Sequence, residues 1–323
     1  MPANAAIEPI ARRPRRVPER MSLEQPAESL KHRDRPEWLV GWILVLLVCF
    51  GPALWDLGRF AWGSELYSYI LLIPFISGYL AWSKREANSS DSSRAPWLAM
   101  FPLMAAVGVL VSYACWLRSG WKPTACDQLA VKAFAFLCFL FAGEFLFLRT
   151  ETLRRTIFAI SFSFFIVPFP EVLRRSIEGF LQHRSADAAE LLFGLAGMPV
   201  LRHETVLQLP GFTLEVAPEC SGIHSTLVLF ITSVVAGHLL LQSPWRRLIL
   251  SVAVIPLALL RNGFRIVTIG ELCVNVSPDM INSYIHRKGG PIFFVLSLIP
   301  FFLLLVYLRR GERNRSLRPE GSD

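Results

Sequence analysis

The sequence predicts an all-α polytopic membrane protein with about eight transmembrane helices. Of its 323 residues, 53% are hydrophobic and only 18% are charged, and the mean hydropathy is +0.43, outside the range of a water-soluble domain. The apolar residues form near-continuous runs, such as Trp38 to Leu54 and Leu248 to Leu260, and short basic loops separate them. Continuous runs are what a hydrocarbon solvent selects, whereas half-buried helices and strands alternate. Six unclustered cysteines exclude a disulfide scaffold.

Residues 1–37 carry Arg12, Arg13, Arg15, Arg16 and Arg20 among several prolines. They are expected to form a disordered, basic cytoplasmic tail. A single integral-membrane domain is expected over 38–308, followed by a second basic cytoplasmic tail over 309–323. A hydrocarbon core about 30 Å thick needs roughly 20 helical residues, with about 17 the minimum. On that criterion the spans fall at 38–55, 66–82, 97–117, 130–148, 156–173, 221–241, 246–269 and 291–308. Short cytoplasmic loops retain Lys and Arg, and 21 of the 33 basic residues fall on the side that holds both termini. The net charge of +8 is therefore read as an orientation signal, with both termini of an inner- or plasma-membrane protein in the cytoplasm. No basic-aromatic motif points to nucleic acid.

Pro168 and Pro170 interrupt the fifth span and Pro256 lies in the seventh, so packed, kinked helices are expected. The longest outer loop precedes span six. Its first part, Arg174 to Met198, alternates charged residues with Leu and Phe at helical spacing and predicts an amphipathic helix at the interface. Its second part places two short alternating runs, Thr205 to Leu209 and Phe212 to Val216, around Pro210-Gly211. That pattern predicts a short extracytoplasmic β-hairpin.

The residues able to carry chemistry gather at the outer ends of the last three spans. Cys220 opens Cys220-Ser221-Gly222-Ile223-His224 at the start of span six. A helix N-terminus supplies free N–H groups and positive potential, which favour a thiolate and an oxyanion. The alternative is a small buried cysteine with no reactivity. Arg261 and Arg265, one helical turn apart, bracket Asn262-Gly-Phe near the outer end of span seven. Charge at membrane depth is costly and faces a cavity or partner; Arg265, followed by Ile-Val-Thr-Ile, is read as functional. Arg261 is open between function and snorkelling, and Asn262 can orient either guanidinium. His286 precedes span eight and can move a proton near neutral pH. His224, four residues after Cys220, is either a second base or a packing residue. Cys126 and Cys273 both fall on the outer side and could pair. His203-Glu204 lacks the second zinc ligand, since Leu207 occupies its place; no metal and no cofactor are expected.

Topology puts Cys220, Arg265 and His286 on one membrane face, as in a Cys-His acyl-transfer enzyme. Together with Pro168-Phe-Pro170, Val216-Ala-Pro-Glu-Cys-Ser-Gly-Ile223, Asn262-Gly-Phe-Arg265-Ile266 and the His286 to Gly290 spacing, they resemble the exosortase and archaeosortase family of membrane cysteine transpeptidases. The likeness covers roughly 165–308; the earlier spans agree only in hydropathy. It implies a catalytic Cys220, Arg265 and His286, supported by Ser221, Gly222, Asn262 and, if they assist, Arg261 or His224. The implied substrates are exported proteins with a C-terminal signal: a Pro-Glu-Pro-like motif (the PEP-CTERM type), a transmembrane helix and a basic tail. Cleavage through a thioester on the extracytoplasmic face would pass them to an acceptor nucleophile. The rival reading is a transporter, or an envelope or exopolysaccharide assembly component, that binds an anionic group at Arg265.

Overall fold

The computed structural model describes residues 36–83, 95–216, 221–277, 279–280 and 289–316. The tail expected over 1–37 falls almost wholly outside these residues. Six candidate membrane crossings are present among them. They are α1 (Pro36–Gly63), α3 (Met100–Arg118), α4 (Ala125–Phe147), α7 (Ile223–Leu240), the near-continuous pair α8 (Pro244–Val252) and α9 (Val254–Asn275), and α10 (Gly290–Ser316). The chain is a multi-pass membrane protein. Few residues of α1 are buried inside the protein, and its exposed side chains, Val48 and Trp62 among them, form a surface that water would penalise and lipid would not.

Two of the eight expected spans are not single long helices. The apolar run 66–82 divides into a 3-10 turn (Ser68–Leu71) and α2 (Ile73–Ser83) of 11 residues. At the α-helical rise α2 spans about 16 Å, half the hydrocarbon thickness. Tyr69, Ile70, Ile73 and Leu80 of this run join a core with Leu57, Leu129, Phe162 and Leu227, while Leu72, Phe75, Tyr79 and Trp82 are exposed, so the run meets protein on one face and offers an apolar surface on the other. The fifth run is bent by 89° between α5 (Thr150–Phe162) with its 3-10 extension and α6 (Glu171–Leu195); counted as one crossing, the pair makes seven.

The Pro168-Phe169-Pro170 corner is fastened from both sides. Pro170 has no N–H, and the Phe169 carbonyl accepts hydrogen bonds from the Cys126 thiol at 3.1 Å and the Tyr67 hydroxyl at 3.4 Å. Cys126 is thus engaged by the corner, and no disulfide links it to Cys273. Asp127 caps two helices at once. One carboxylate oxygen closes a capping box with Thr124 at the start of α4, and the other accepts the Glu171 N–H at the start of α6 at 2.9 Å. The helix expected over 174–198 starts where that cap sets it. Pro256 likewise falls in the first turn of α9, after a break at Ala253, where its missing N–H costs nothing.

The expected hairpin is present and belongs to a three-stranded antiparallel sheet. Strand β2 (Val206–Leu209) pairs with β3 (Phe212–Glu215) across Pro210-Gly211, with Leu209 opposite Phe212. Gly211 has φ +74°, as the third residue of a type II turn requires. The additional strand β1 (Leu201–His203) pairs with β2 through a turn in which Glu204 has φ 54°. Leu207, Leu209, Leu214 and Val216 form a buried cluster with Ala186, Ala189 and Phe193 of α6 and Ile266 of α9. Helices α6 and α9 approach so closely that a Cβ on Gly263 would lie 2.9 Å from Ala188 Cβ and 3.1 Å from the Ala189 nitrogen. Arg202 of β1 locks the sheet to α6 through ion pairs with Asp187 and Glu190. Burial alone would raise the Asp187 carboxyl, but hydrogen bonds from Arg202 and Arg184 outweigh it and hold it below the ordinary value.

Two outcomes follow from this packing. Gly263→Val should lower stability by about 1–3 kcal/mol or more, because backbone rather than a mobile side chain must give way; Gly41→Val, which meets nothing within 4 Å, is the control in thermal unfolding of the detergent-solubilised protein. Asp187 has a folded-state pKa below its unfolded value, so its contribution is complete above about pH 4 and disappears as pH falls through the lower folded value. Asp187→Asn should therefore melt below the parent at pH 7, and the gap should shrink as the pH is lowered below about 4. A gap of constant size would remove this ion pair from the account.

Candidate active site

The site is built on the junction between the sheet and α7. Val216 ends the sheet: its N–H donates to the Thr205 carbonyl at 2.9 Å and its carbonyl accepts from the Gln182 amide of α6. Five residues later the chain enters α7 through Ser221 and Gly222. Gly222 is the N-cap and has φ +68°. A side chain is excluded there twice, by the left-handed backbone and by space. A Cβ would lie 2.5 Å from both amide atoms of Asn262 and 2.8 Å from Arg261 Nη2.

Asn262 and Arg261, adjacent on α9, close over this cap. The Asn262 amide nitrogen donates to the Ser221 carbonyl at 2.5 Å and to Ser185 Oγ of α6 at 3.2 Å. Its oxygen accepts from Arg261 Nε at 3.2 Å and Nη2 at 3.0 Å. Arg261 Nη2 also lies 3.4 Å from the Gly222 carbonyl and from Thr226 Oγ1. The Gly222 carbonyl further accepts from Thr226 N at 2.9 Å, Thr226 Oγ1 at 2.8 Å and Ser225 Oγ at 3.0 Å. A cap with no side chain of its own is thus held by three neighbouring polar groups and a guanidinium. Arg261 is only 8% exposed, Asn262 4% and Ser221 0%. Two donors at the junction, Ser221 Oγ and Arg261 Nη1, are buried and without a partner among the described residues. Each such donor costs about 1–3 kcal/mol, so the site stores unused hydrogen-bonding capacity.

Of the residues singled out from the sequence, Ser221, Gly222, Arg261 and Asn262 come together in this clamp. Arg265 follows one turn later on α9, half-buried, and its charge lies within electrostatic range of Arg261. His224 occupies the first turn of α7, and Glu65, beyond the end of α1, is a charge within its range; it makes no hydrogen bond to the clamp among the described residues. Cys220 and His286 lie outside the described residues. Three participants escape a reading of the sequence: Gln182, Ser185 and Thr226. The one signal available for the α6 pair is the small-residue run Ser185-Ala186 and Ala188-Ala189, the composition that lets helices approach closely enough for short polar side chains to bridge them.

The described residues contain no group of three or more His, Cys, Asp or Glu side chains able to hold a metal ion. The polar inventory of the site is instead guanidinium, amide, hydroxyl and helix N-terminal N–H: donors suited to a carbonyl oxygen that gains negative charge. No curated protein and no solved structure matches the chain. The family model described as transmembrane exosortase (EpsH type) matches residues 62–303, a stretch that contains α2 through α9, the sheet, the Gly222 cap and both arginines. The chain belongs to the transmembrane exosortase family.

Proposed function

We propose that the protein is a cysteine transpeptidase that cleaves a C-terminal sorting signal from exported proteins and transfers them to an acceptor. In this reading Cys220 attacks the carbonyl carbon of the scissile bond near a Pro-Glu-Pro-like motif. Arg265 neutralises the oxyanion. His286 takes the thiol proton and delivers it to the departing amine, so the signal's transmembrane helix and basic tail leave while the exported protein is held as a thioester. An acceptor nucleophile then attacks the thioester, gives up its proton and frees the thiol.

The observation that carries this reading is the clamp on Ser221 and Gly222. Cys220 directly precedes Ser221 in the chain, and Asn262, which holds the Ser221 carbonyl, is on α9 within one turn of Arg265. A rigid backbone beside the nucleophile matters because misplacement of the order of 1 Å can cost about 10²-fold in rate. The membership in a membrane exosortase family and the buried donor set support the same chemistry. We place the protein in the inner or plasma membrane with both termini cytoplasmic and the site on the outer face. A substrate recognised by a hydrophobic helix then enters sideways from the bilayer, and its basic tail stays with the basic loops of the enzyme.

The test is co-expression with a secreted reporter ending in such a motif, an apolar helix and an arginine cluster, read as a shift in reporter mass. Cys220→Ala should lower processing on the order of 10³-fold or more, as loss of a nucleophile does, and His286→Ala should also abolish turnover. Arg265→Ala should cost about 10²–10³-fold, all at normal membrane abundance. Unchanged processing by Cys220→Ala would falsify the mechanism, and a transporter would tolerate the cysteine change but lose function with the arginine. Asn262→Leu should lower the single-turnover rate about 10²-fold with little change in substrate affinity, the pattern of a positioning residue. Equal loss of affinity would assign Asn262 to substrate binding instead.

A further inference from the structure

A second polar site occupies the same end of the helix bundle. Between α1 and α4 lies an open cavity of about 470 Å³, lined by the exposed Asp56 and Arg59 and by Phe60 on α1 and by Gln128, Leu129 and Lys132 on α4. Asp56 and Arg59 are three residues apart and Gln128 and Lys132 four, so each pair shares one face of its helix. The cavity adjoins the first turn of α4, where Cys126 and Asp127 hold the Phe169 corner.

Three features make this more than a solvated surface. Lys132, seven residues beyond the first residue of α4 and about 10 Å along that helix, is half-buried, whereas Asp56 and Arg59 opposite it are exposed. None of the side chains of Asp56, Arg59, Gln128 and Lys132 has a hydrogen-bond or ion-pair partner among the described residues. Trp55 and Trp62, 71% and 84% exposed on α1, bracket Asp56 and Arg59 in sequence, and exposed tryptophans mark the level of the lipid headgroups. Farther down α1, Leu44, Val45 and Val48 are exposed and apolar.

We propose that this cavity binds the headgroup of a membrane phospholipid that carries both a phosphate and a primary ammonium. Arg59 and Lys132 converge on the phosphate, Gln128 donates to one of its oxygens, and Asp56 receives the ammonium. Two cations and one carboxylate complement a zwitterion: a phosphate alone would leave Asp56 facing like charge, and an amine alone would leave both cations unpaired. The volume suits a small headgroup, and the acyl chains have the exposed apolar face of α1 to lie along. Nothing in this proposal depends on the transpeptidase reading.

The test uses the purified full chain in detergent, with bound lipid counted by native mass spectrometry during titration. The probes are phosphatidylethanolamine, phosphatidylglycerol and soluble O-phosphoethanolamine. Phosphatidylethanolamine should bind the parent best. The Arg59→Gln/Lys132→Met double variant should bind it about 10-fold or more weakly, the order expected for losing charged hydrogen bonds. Asp56→Asn should erase the preference over phosphatidylglycerol. Lys132→Arg, which keeps the charge, should retain binding and preserves the test if the double variant fails to fold. Unchanged phosphatidylethanolamine binding by the double variant, or equal binding of phosphatidylglycerol by the parent, overturns the assignment. Equal affinity for soluble O-phosphoethanolamine overturns a lipid as the source.

Discussion

One buried amide organises the site. Asn262 is 4% exposed, and in so dry a place each end of the amide needs a partner or costs free energy. Its nitrogen is satisfied by the backbone of Ser221 and the hydroxyl of Ser185, and its oxygen by Arg261. Those partners belong to the cap of α7, to α6 and to α9. A one-residue slip of any of them would turn a satisfied donor into an orphan, so the amide fixes three elements in register at once. Gly222 is the counterpart: only a residue without a side chain leaves room for the amide to reach.

The close approach beneath the amide follows from residue size. Gly263 meets Ala188 and Ala189, and a larger side chain on either helix would separate Asn262 from Ser185. The sheet adds apolar cover, with Leu207 and Val216 at 0% and 1% exposure, and keeps water from competing for the hydrogen bonds. Arg202 and the Gln182 contact to Val216 then tie the sheet to α6 at two points.

Much of the architecture is legible in the sequence, because lipid acts as a uniform solvent and demands long apolar runs. The Pro168 to Pro170 corner and the Pro210-Gly211 turn are legible for a different reason: both depend on backbone chemistry local to those residues. The helix lengths are not, since the continuous apolarity of 66–82 gives no sign that the run divides into a 3-10 turn and the short α2. Strand β1 is three residues long and turns through Glu204 in a left-handed conformation, a combination with no compositional mark. For the site, the residue types around Gly222 and Asn262 stand out in the sequence, but their assembly does not. Ser185 is 77 residues from Asn262 and sits in a helix whose charged residues advertise its wet face.

That separation along the chain has a consequence for biogenesis. Asn262 follows Ser221 by 41 residues, so at typical synthesis rates the cap of α7 waits roughly 2–8 s before its clamp is made. During that interval the segment beside Cys220 lacks the contacts that hold it, although the sheet and α6 already exist. The proposed transpeptidase would therefore stay unarmed while most of its chain is made: the clamp waits for α9, and His286, 11 residues beyond the Asn275 end of α9, comes later still.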